Sequence, residues 1–280
     1  MSDERLLNIA LESAKKAGVE VMKYYRDKSF TAELKEDESP VTSADIAAND
    51  ILMDQLRTLT PDIPIISEEV GALPLAQRKN WSKYWLLDPI DGTGEFIIGS
   101  GDFAVNIALI VNGWPSLGVI HAPDHQQTYY AQTNLGAFKE FNVQNEQEIT
   151  LSSKQIHVAD YEEKRPIKVA ISRRQQLNLM GQYLNDEYDY DYVALGSCSL
   201  KNCLIAEGGA DCYLRIGVTG EWDTGASQCI LEQAGGTIID SEFNPLSYNK
   251  RESLLNPDFL SLGNQNIPWQ EVIKAHRQVY

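Results

Sequence analysis

Residues 103–139 constrain the fold most, because they read as an antiparallel meander and so commit the first half of the chain to a sheet. Phe103–Val111 and Trp114–His121 are apolar runs separated only by Asn112-Gly113, a pair suited to the two-residue turn of a β-hairpin, and two shorter strands follow. Beyond residue 165 the pattern changes to alternation. Ile167–Ile171 reads as a strand, about 173–184 as a helix, and Tyr192–Leu195 as a strand. A helix from about Ser199 ends at Gly208-Gly209, and Asp211–Leu214 is a strand. A helix from Asp223 then ends at Gly235-Gly236 before strand Thr237–Asp240. Such alternation favours layered α/β structure. The composition turns polar near 150–165, which sets an expected boundary between an N-terminal α+β lobe over 1–155 and a C-terminal α/β lobe over 156–280.

Ahead of the meander, Leu7, Leu11, Ala14, Ala17, Val21 and Tyr24 recur at three- and four-residue steps, which predicts an amphipathic helix over 4–26. After the polar stretch Lys35–Pro40, Thr42 with Asp45 forms a capping arrangement that opens a helix to about Leu59. Pro61 and Pro64 bracket a turn into a short strand, Ile63–Ser67. Tyr84–Asp88 is a second buried strand, ending abruptly in Pro-Ile-Asp-Gly-Thr.

The charge balance narrows the function. Lys and Arg number 24 against 40 Asp and Glu, a net charge of −16. A general nucleic-acid binder needs a basic surface to displace counterions, and a polybasic membrane anchor needs one to meet anionic lipid. Neither is here. Like charges also argue, at first sight, against a phosphorylated substrate. No apolar stretch follows Met1-Ser-Asp-Glu-Arg in the manner of a secretory signal, and no run of 18 apolar residues predicts a transmembrane segment. Cys198, Cys203, Cys212 and Cys229 lack paired spacing and sit among apolar or small residues, as reduced buried thiols do. A cytoplasmic protein is expected.

Several familiar sites are absent. His121 and His125 are four apart, but Pro123 forbids the helix a zinc pair would need, so both are expected as solvated loop residues. Gly99-Ser-Gly101 lacks the third glycine of a dinucleotide fingerprint and reads as a turn. No phosphate loop of the GxxxxGK type and no GxSxG elbow occurs. What remains is acid at the ends of secondary elements. Asp88 and Asp91 flank a bend after a buried strand, Glu68-Glu69 ends the preceding strand, and Asp223 opens a helix. Singly these residues are ordinary caps, turns and solvated ends. Together, strand ends along one edge of a layered sheet converge on a crevice. Two carboxylates 4 Å apart repel by about 4 kcal/mol at an effective dielectric near 20, a penalty that divalent cations remove. Oxygen-only donors select a hard ion, and one that keeps waters and accepts phosphate oxygens is Mg²⁺. Two or three such ions would activate water and stabilise a leaving oxygen.

Four blocks resemble the lithium-sensitive, Mg²⁺-dependent phosphatases of the inositol monophosphatase superfamily. They are Ser39–Asp45, Ile66–Glu69, Trp85–Thr93 and Trp222–Ala226 with Ala234–Gly236, in the family's order. Within it the chain looks most like the bacterial CysQ-type 3′(2′),5′-bisphosphate nucleotidases. Asp91–Phe96, Val169–Arg173, Gly196–Lys201, Pro245–Ser253 and Leu255–Pro257 carry that likeness. The resemblance implies a two-lobed α/β/α/β/α sandwich of the sugar-phosphatase type. It implies hydrolysis of the 3′-phosphate of adenosine 3′,5′-bisphosphate to AMP and phosphate, with the sulfated analogue as a further substrate, in sulfate assimilation.

By matching motif positions, Glu68, Asp88, Asp91, Asp223 and the carbonyl of Ile90 are expected to hold the metals, and Asp45 with Thr93 to orient and deprotonate water. Gly92 and Thr93 would offer N–H groups to the scissile phosphate. Ser172, Arg173, Ser199, Lys201 and Arg215 are candidates for the nucleotide and its second phosphate, and Glu68, Ile90 and Asp223 also border the substrate. Two positions depart from the CysQ-type pattern: Gly94 where Lys is usual, and Gln175 in Ser172-Arg-Arg-Gln175 where a Ser-His often follows the Arg. Both bear on substrate preference. The alternatives are an inositol or other sugar-phosphate phosphatase on the same metal site, and a non-catalytic nucleotide sensor, which would need a metal ligand or Thr93 to be missing. The resemblance also allows peripheral association with the cytoplasmic face of the inner membrane. It leaves the oligomeric state open.

Overall fold

A computed structural model describes residues 1–35, 38–71, 73–144, 149–173 and 177–274. The first half contains α1 (Asp3–Asp27), β1 (Ala32–Leu34), β2 (Pro40–Thr42), α2 (Ser43–Leu59), β3 (Ile65–Ser67), α3 (Leu75–Arg78), β4 (Lys83–Asp91), α4 (Thr93–Ile98), β5 (Ala104–Val111), β6 (Trp114–Ala122), β7 (Gln127–Gln132), β8 (Gly136–Gln144) and β9 (Ile149–Ile156). The second adds β10 (Ile167–Ile171), α5 (Leu177–Tyr183), β11 (Tyr190–Ala194), α6 (Cys198–Ala206), β12 (Cys212–Arg215), α7 (Glu221–Gln233), β13 (Thr237–Asp240), β14 (Phe259–Leu262) and α8 (Trp269–Val272).

Strands β3 to β9 form a seven-stranded sheet in sequence order, antiparallel except for the β3–β4 pair. A five-stranded sheet runs β11-β10-β12-β14-β13, parallel from β11 to β12 and antiparallel around β14. The two-residue alternation of strand side chains sorts the core into layers. On β4, Trp85 and Leu87 pack with Ala10 and Ala14 of α1 and Leu52 and Leu56 of α2, whereas Tyr84 and Leu86 join Ala226 and Ile230 of α7. On β10, Val169 and Ile171 meet Met180 of α5 and Trp269 and Val272 of α8, whereas Ala170 turns inward with Cys203 of α6. Helices α1 and α2, the large sheet, α6 and α7, the small sheet, and α5 with α8 thus stack as five layers. Each fully buried Leu, Ile or Val contributes about 1.5–3 kcal/mol to holding them. Gly118 permits the closest approach, since a Cβ there would stand 2.3 Å from the carbonyl oxygen of Ala226.

Several elements differ from the sequence reading. The polar stretch after 149 is β9, paired only with β8 at the sheet's edge, where one polar face is tolerated. β14 is a four-residue buried strand, Phe-Leu-Ser-Leu, inserted between β12 and β13 and too short to declare itself without its partners. β1 and β2, short strands that no local signal marks, form a small ribbon on either side of the polar stretch Lys35–Ser39. The helix expected over 173–184 is observed as Leu177–Tyr183, and residues 174–176, including Gln175, lie outside the described residues. His121 is not a solvated loop residue. It lies on β6 with Nδ1 2.9 Å from the Thr128 hydroxyl, and burial lowers it to about 4. All four cysteines are buried and free.

Candidate active site

β4 runs three residues past the expected stop, through Pro89 to Asp91, and its ladder with β5 becomes irregular between Asp88 and Asp91. Proline has no N–H for the ladder, so the strand bends there and turns its acids toward the neighbouring helices. Gly92 then adopts φ +94°, a conformation strained for any residue with a Cβ, and α4 starts at Thr93. From the other sheet's side, α7 brings Asp223 in its first turn, where the carboxylate accepts the Gly220 N–H at 2.6 Å. One carboxylate oxygen from each of Asp88, Asp91 and Asp223 lies within 4.8 Å of the others. Asp88 is fully buried, Asp91 nearly so, and Asp223 half-buried.

Burial, followed by the charges of Glu68, Asp91 and Asp223, pushes Asp88 well above the ordinary carboxylate range. Burial and the charges of Asp91 and Glu68 do the same to Asp223, against the opposing pull of the Gly220 N–H and Arg215. Asp88 Oδ1 accepts the Ile90 N–H at 3.1 Å, while the buried Oδ2 has no partner. Three converging carboxylates with an unpartnered inner oxygen are a donor set that a hard divalent cation fits. Glu68 follows β3, with its N–H on the Leu87 carbonyl and its carboxylate 2.7 Å from Lys35 Nζ. Lys35 also reaches Glu69 at 2.9 Å. Burial lifts Glu69 to about 7 despite that contact.

Asp45 serves two purposes. As the capping residue of α2 its Oδ2 accepts the Thr42 N–H at 2.7 Å and the Thr42 hydroxyl at 2.6 Å. Its Oδ1 accepts the Thr93 hydroxyl at 3.0 Å, and that hydroxyl also lies 3.1 Å from the Ile90 carbonyl. Burial raises Asp45, although the Thr42 and Thr93 hydrogen bonds oppose it. The capping motif legible in the sequence therefore also fixes the carboxylate that touches Thr93.

The expected nucleotide-side residues are placed less uniformly. Ser199 is fully buried and donates its N–H and hydroxyl to Asp91 at 2.6 and 2.5 Å. The Ser197 hydroxyl adds a third bond at 2.5 Å. Asp91 is thus bound to the start of α6, and Ser199 acts through it. Lys201, 2 % exposed, donates to the carbonyls of Leu195 and Ser197 and lies 4.8 Å above the Tyr213 ring. Burial lowers its basicity. Arg173 is exposed and grips Asp102 through Nε at 2.8 Å. Arg215 donates to the Val218 carbonyl at 2.8 Å, and its Nε is buried without a partner. Ser172 is half-buried, and Gly94 faces open space, with no heavy atom within 4 Å of the point where a Cβ would stand.

Three participants were not read from the sequence. Lys35 lies in the polar stretch after β1, where nothing local distinguishes it, and Ser197 lies within the Gly196–Lys201 motif. Asp102, 2 % exposed, gathers Arg173, the Gly196 N–H at 2.8 Å and His125 Nε2 at 3.2 Å. Nothing local marks Asp102 as buried; only the return of three distant loops does so.

Carboxylates converging at strand and helix ends, beside a Thr–Asp pair, are what a cation-assisted hydrolase of anionic esters requires. The chain belongs to the inositol monophosphatase family, whose profile matches residues 2–275. It is 39% identical over 271 residues to a 3′(2′),5′-bisphosphate nucleotidase CysQ of Aggregatibacter actinomycetemcomitans, covering 97% of each chain. It is 42% identical over 255 residues to the Escherichia coli K12 protein of the same name, covering 91% of this chain and 98% of that one. The solved structure of CysQ from Bacteroides thetaiotaomicron superposes with a TM-score of 0.78 at 32% identity, covering 94% of this chain and 98% of that one. The fold also matches an inositol monophosphatase from Thermotoga maritima, with a TM-score of 0.73 at 24% identity and 92% coverage of each chain. Among the described residues no helix is long and apolar enough to cross a membrane.

Proposed function

We propose that the protein is a Mg²⁺-dependent 3′(2′),5′-bisphosphate nucleotidase that converts adenosine 3′,5′-bisphosphate to AMP and phosphate, with the sulfated analogue as a second substrate. The observation that carries this reading is the end-to-end likeness to curated bisphosphate nucleotidases, 38–43% identical over 91–97% of the chain, together with the carboxylate cluster at the end of β4. Glu68, Asp88, Asp91, Asp223 and the carbonyl of Ile90 would hold two or three Mg²⁺ ions, with Glu68 leaving Lys35 to do so. Bound there, the ions supply Lewis acidity and positive charge at the phosphate ester.

The chain's own residues perform the rest. Thr93, hydrogen-bonded to Asp45, orients the attacking water, and Asp45 draws its proton through the Thr93 hydroxyl. The N–H groups of Gly92 and Thr93 face the scissile phosphate at the start of α4, where backbone donors are unpaired. Arg215, and Arg173 on leaving Asp102, would supply charge for the nucleotide's second phosphate and ribose, and Ser172 borders them. Ser199 and Lys201 hold Asp91 and the Leu195–Ser197 loop in place. The setting we assign is cytoplasmic, in sulfate assimilation.

Phosphate release from adenosine 3′,5′-bisphosphate, measured with and without Mg²⁺ beside inositol 1-phosphate, tests the reading. Preference for the inositol ester would make the protein a sugar-phosphate phosphatase, and no release from either would overturn the phosphatase reading. Millimolar Li⁺ should inhibit.

A further inference from the structure

Asn106 stands on β5 directly opposite Asp88 in the β4–β5 ladder. Residues opposite one another in an antiparallel pair project to the same face, with Cβ atoms about 4.5–5.5 Å apart. That face carries the apolar layer between the two sheets: Ala104 and Ala108, the next residues of β5 on it, both belong there, as does Ile120, the partner of Asn106 on β6. Asn106 is 1 % exposed, and neither its Oδ1 nor its Nδ2 has a hydrogen-bond partner. Asp88 Oδ2, on the residue opposite, is likewise buried and unpartnered, so the two side chains are not bonded to each other in this structure.

A bare carboxamide in a row of alanines and isoleucines is unfavourable, and an aliphatic side chain would fill the place without that penalty. What an amide offers here is a donor without a charge. An ionised Asp88 is acceptor-only, with lone pairs to spare after the Ile90 N–H. A Lys or Arg at position 106 would satisfy it but would compete with a cation for the cluster. An Asp or Glu would add a further repelling charge to three carboxylates already within 4.8 Å.

We propose that Asn106 is a positioning residue for the cation-binding form of Asp88, its Nδ2 donating to the ionised carboxylate and fixing which oxygen faces the crevice. The inference rests on the reading of Asp88 as a metal ligand. Hydrogen-bonding partners behind metal ligands typically alter metal affinity by 10- to 100-fold.

The test is thermal unfolding of the full chain in EDTA and across a Mg²⁺ titration, which reads the Mg²⁺ concentration giving half of the maximal stabilisation. Asn106→Leu should unfold in EDTA at or above the wild-type temperature yet need 10- to 100-fold more Mg²⁺. Should the Leu variant fail to fold, Asn106→Ser and Asn106→Ala keep the question open to refutation. Ser retains a donor and should stay within a few-fold of wild type, while Ala should fall at least 10-fold behind Ser. A Leu variant within twofold of a Mg²⁺-binding wild type, or Ser and Ala variants with equal Mg²⁺ requirements, overturns the inference alone. A wild type that Mg²⁺ does not stabilise overturns the metal reading and the inference with it.

Discussion

Replacing Asp88 with Asn should inactivate the protein and, without metal, stabilise it. Its carboxylate is fully buried with oxygens of Asp91 and Asp223 no farther than 4.8 Å away. At that distance and an effective dielectric of 20, one ionised neighbour repels it by about 3.5 kcal/mol. The native state can escape by keeping Asp88 protonated. At pH 7, holding a proton on a carboxyl whose unfolded pKa is about 3.9 costs roughly 4 kcal/mol. Asn avoids both costs and still accepts the Ile90 N–H through Oδ1. The gain should be about 2–4 kcal/mol, or roughly 4–8 °C in Tm for a chain of this size. Asp88 has a raised folded-state value, so its native form binds more protons than the unfolded chain above the unfolded pKa. Stability is therefore full below that pKa and is lost as pH rises toward the folded value. Thermal unfolding in EDTA at pH 5 and pH 8 reads this directly, and the variant's advantage should be larger at pH 8. His121, held near 4 by burial, titrates alike in both proteins, so the difference between them reports Asp88 together with the carboxylates it faces. With Mg²⁺ the order reverses, and turnover should fall on the order of a thousandfold or more. A variant no more stable than wild type in EDTA at pH 8, or an advantage equal at both pH values, would refute the reasoning.

Thr93→Val should lower kcat by about 10²–10⁴ while leaving stabilisation by Mg²⁺ intact, since only the hydroxyl on Asp45 is removed; normal turnover would take Thr93 out of the mechanism. Lys35→Met should lower the Mg²⁺ concentration needed for half-maximal stabilisation, because an ammonium 2.7 Å from Glu68 competes with the ion; a higher requirement would make Lys35 a supporting residue instead. Gly94→Lys meets open space and should change stability by less than about 0.5 kcal/mol while lowering KM for the nucleotide bisphosphate more than for inositol 1-phosphate. Gly118→Ala should destabilise by about 1–3 kcal/mol by chemical denaturation, as its methyl would meet the Ala226 carbonyl backbone at 2.3 Å.

Local signals and tertiary ones divided cleanly in this chain. The β5–β6 hairpin follows from Asn112-Gly113, whose positive φ angles of 53° and 83° suit few other pairs. The start of α2 follows from Thr42 and Asp45 because a capping box lies within four residues. The carboxylates were found since strand ends and helix starts are punctuated by Pro, Gly and Asp. β14 and β9 were not, because one is defined by the two strands it separates and the other by being an edge. The same division runs through the site. Asp88 and Asp91 share one motif, but Asn106 enters through ladder register and Asp102 through three loops from elsewhere in the chain. The carboxylates could be read from spacing; the groups that hold and orient them could not.

The net charge of −16 looked at first like an obstacle to handling phosphate, and the structure sharpens what the obstacle is. Surface acids are screened over about 8–10 Å and repel a ligand held in a crevice only weakly. The field that matters there comes from the acids and cations lining it. Lys35 is neutralised by Glu68 and Glu69, and Arg173 by Asp102, while Lys201 is turned onto backbone carbonyls. Arg215 is bonded to a backbone carbonyl rather than a carboxylate, and its single charge cannot offset the three converging carboxylates. A phosphate ester can enter only when the positive charge arrives with it or before it. Two divalent ions bring four charges into that volume, enough to reverse its sign. An acidic cluster whose neighbouring cations are already committed is therefore consistent with a phosphatase that acts only when loaded with metal. Mg²⁺ should therefore be required for binding of the scissile phosphate as well as for turnover, and titration of inorganic phosphate into the protein in EDTA should show no binding where the same titration in Mg²⁺ does.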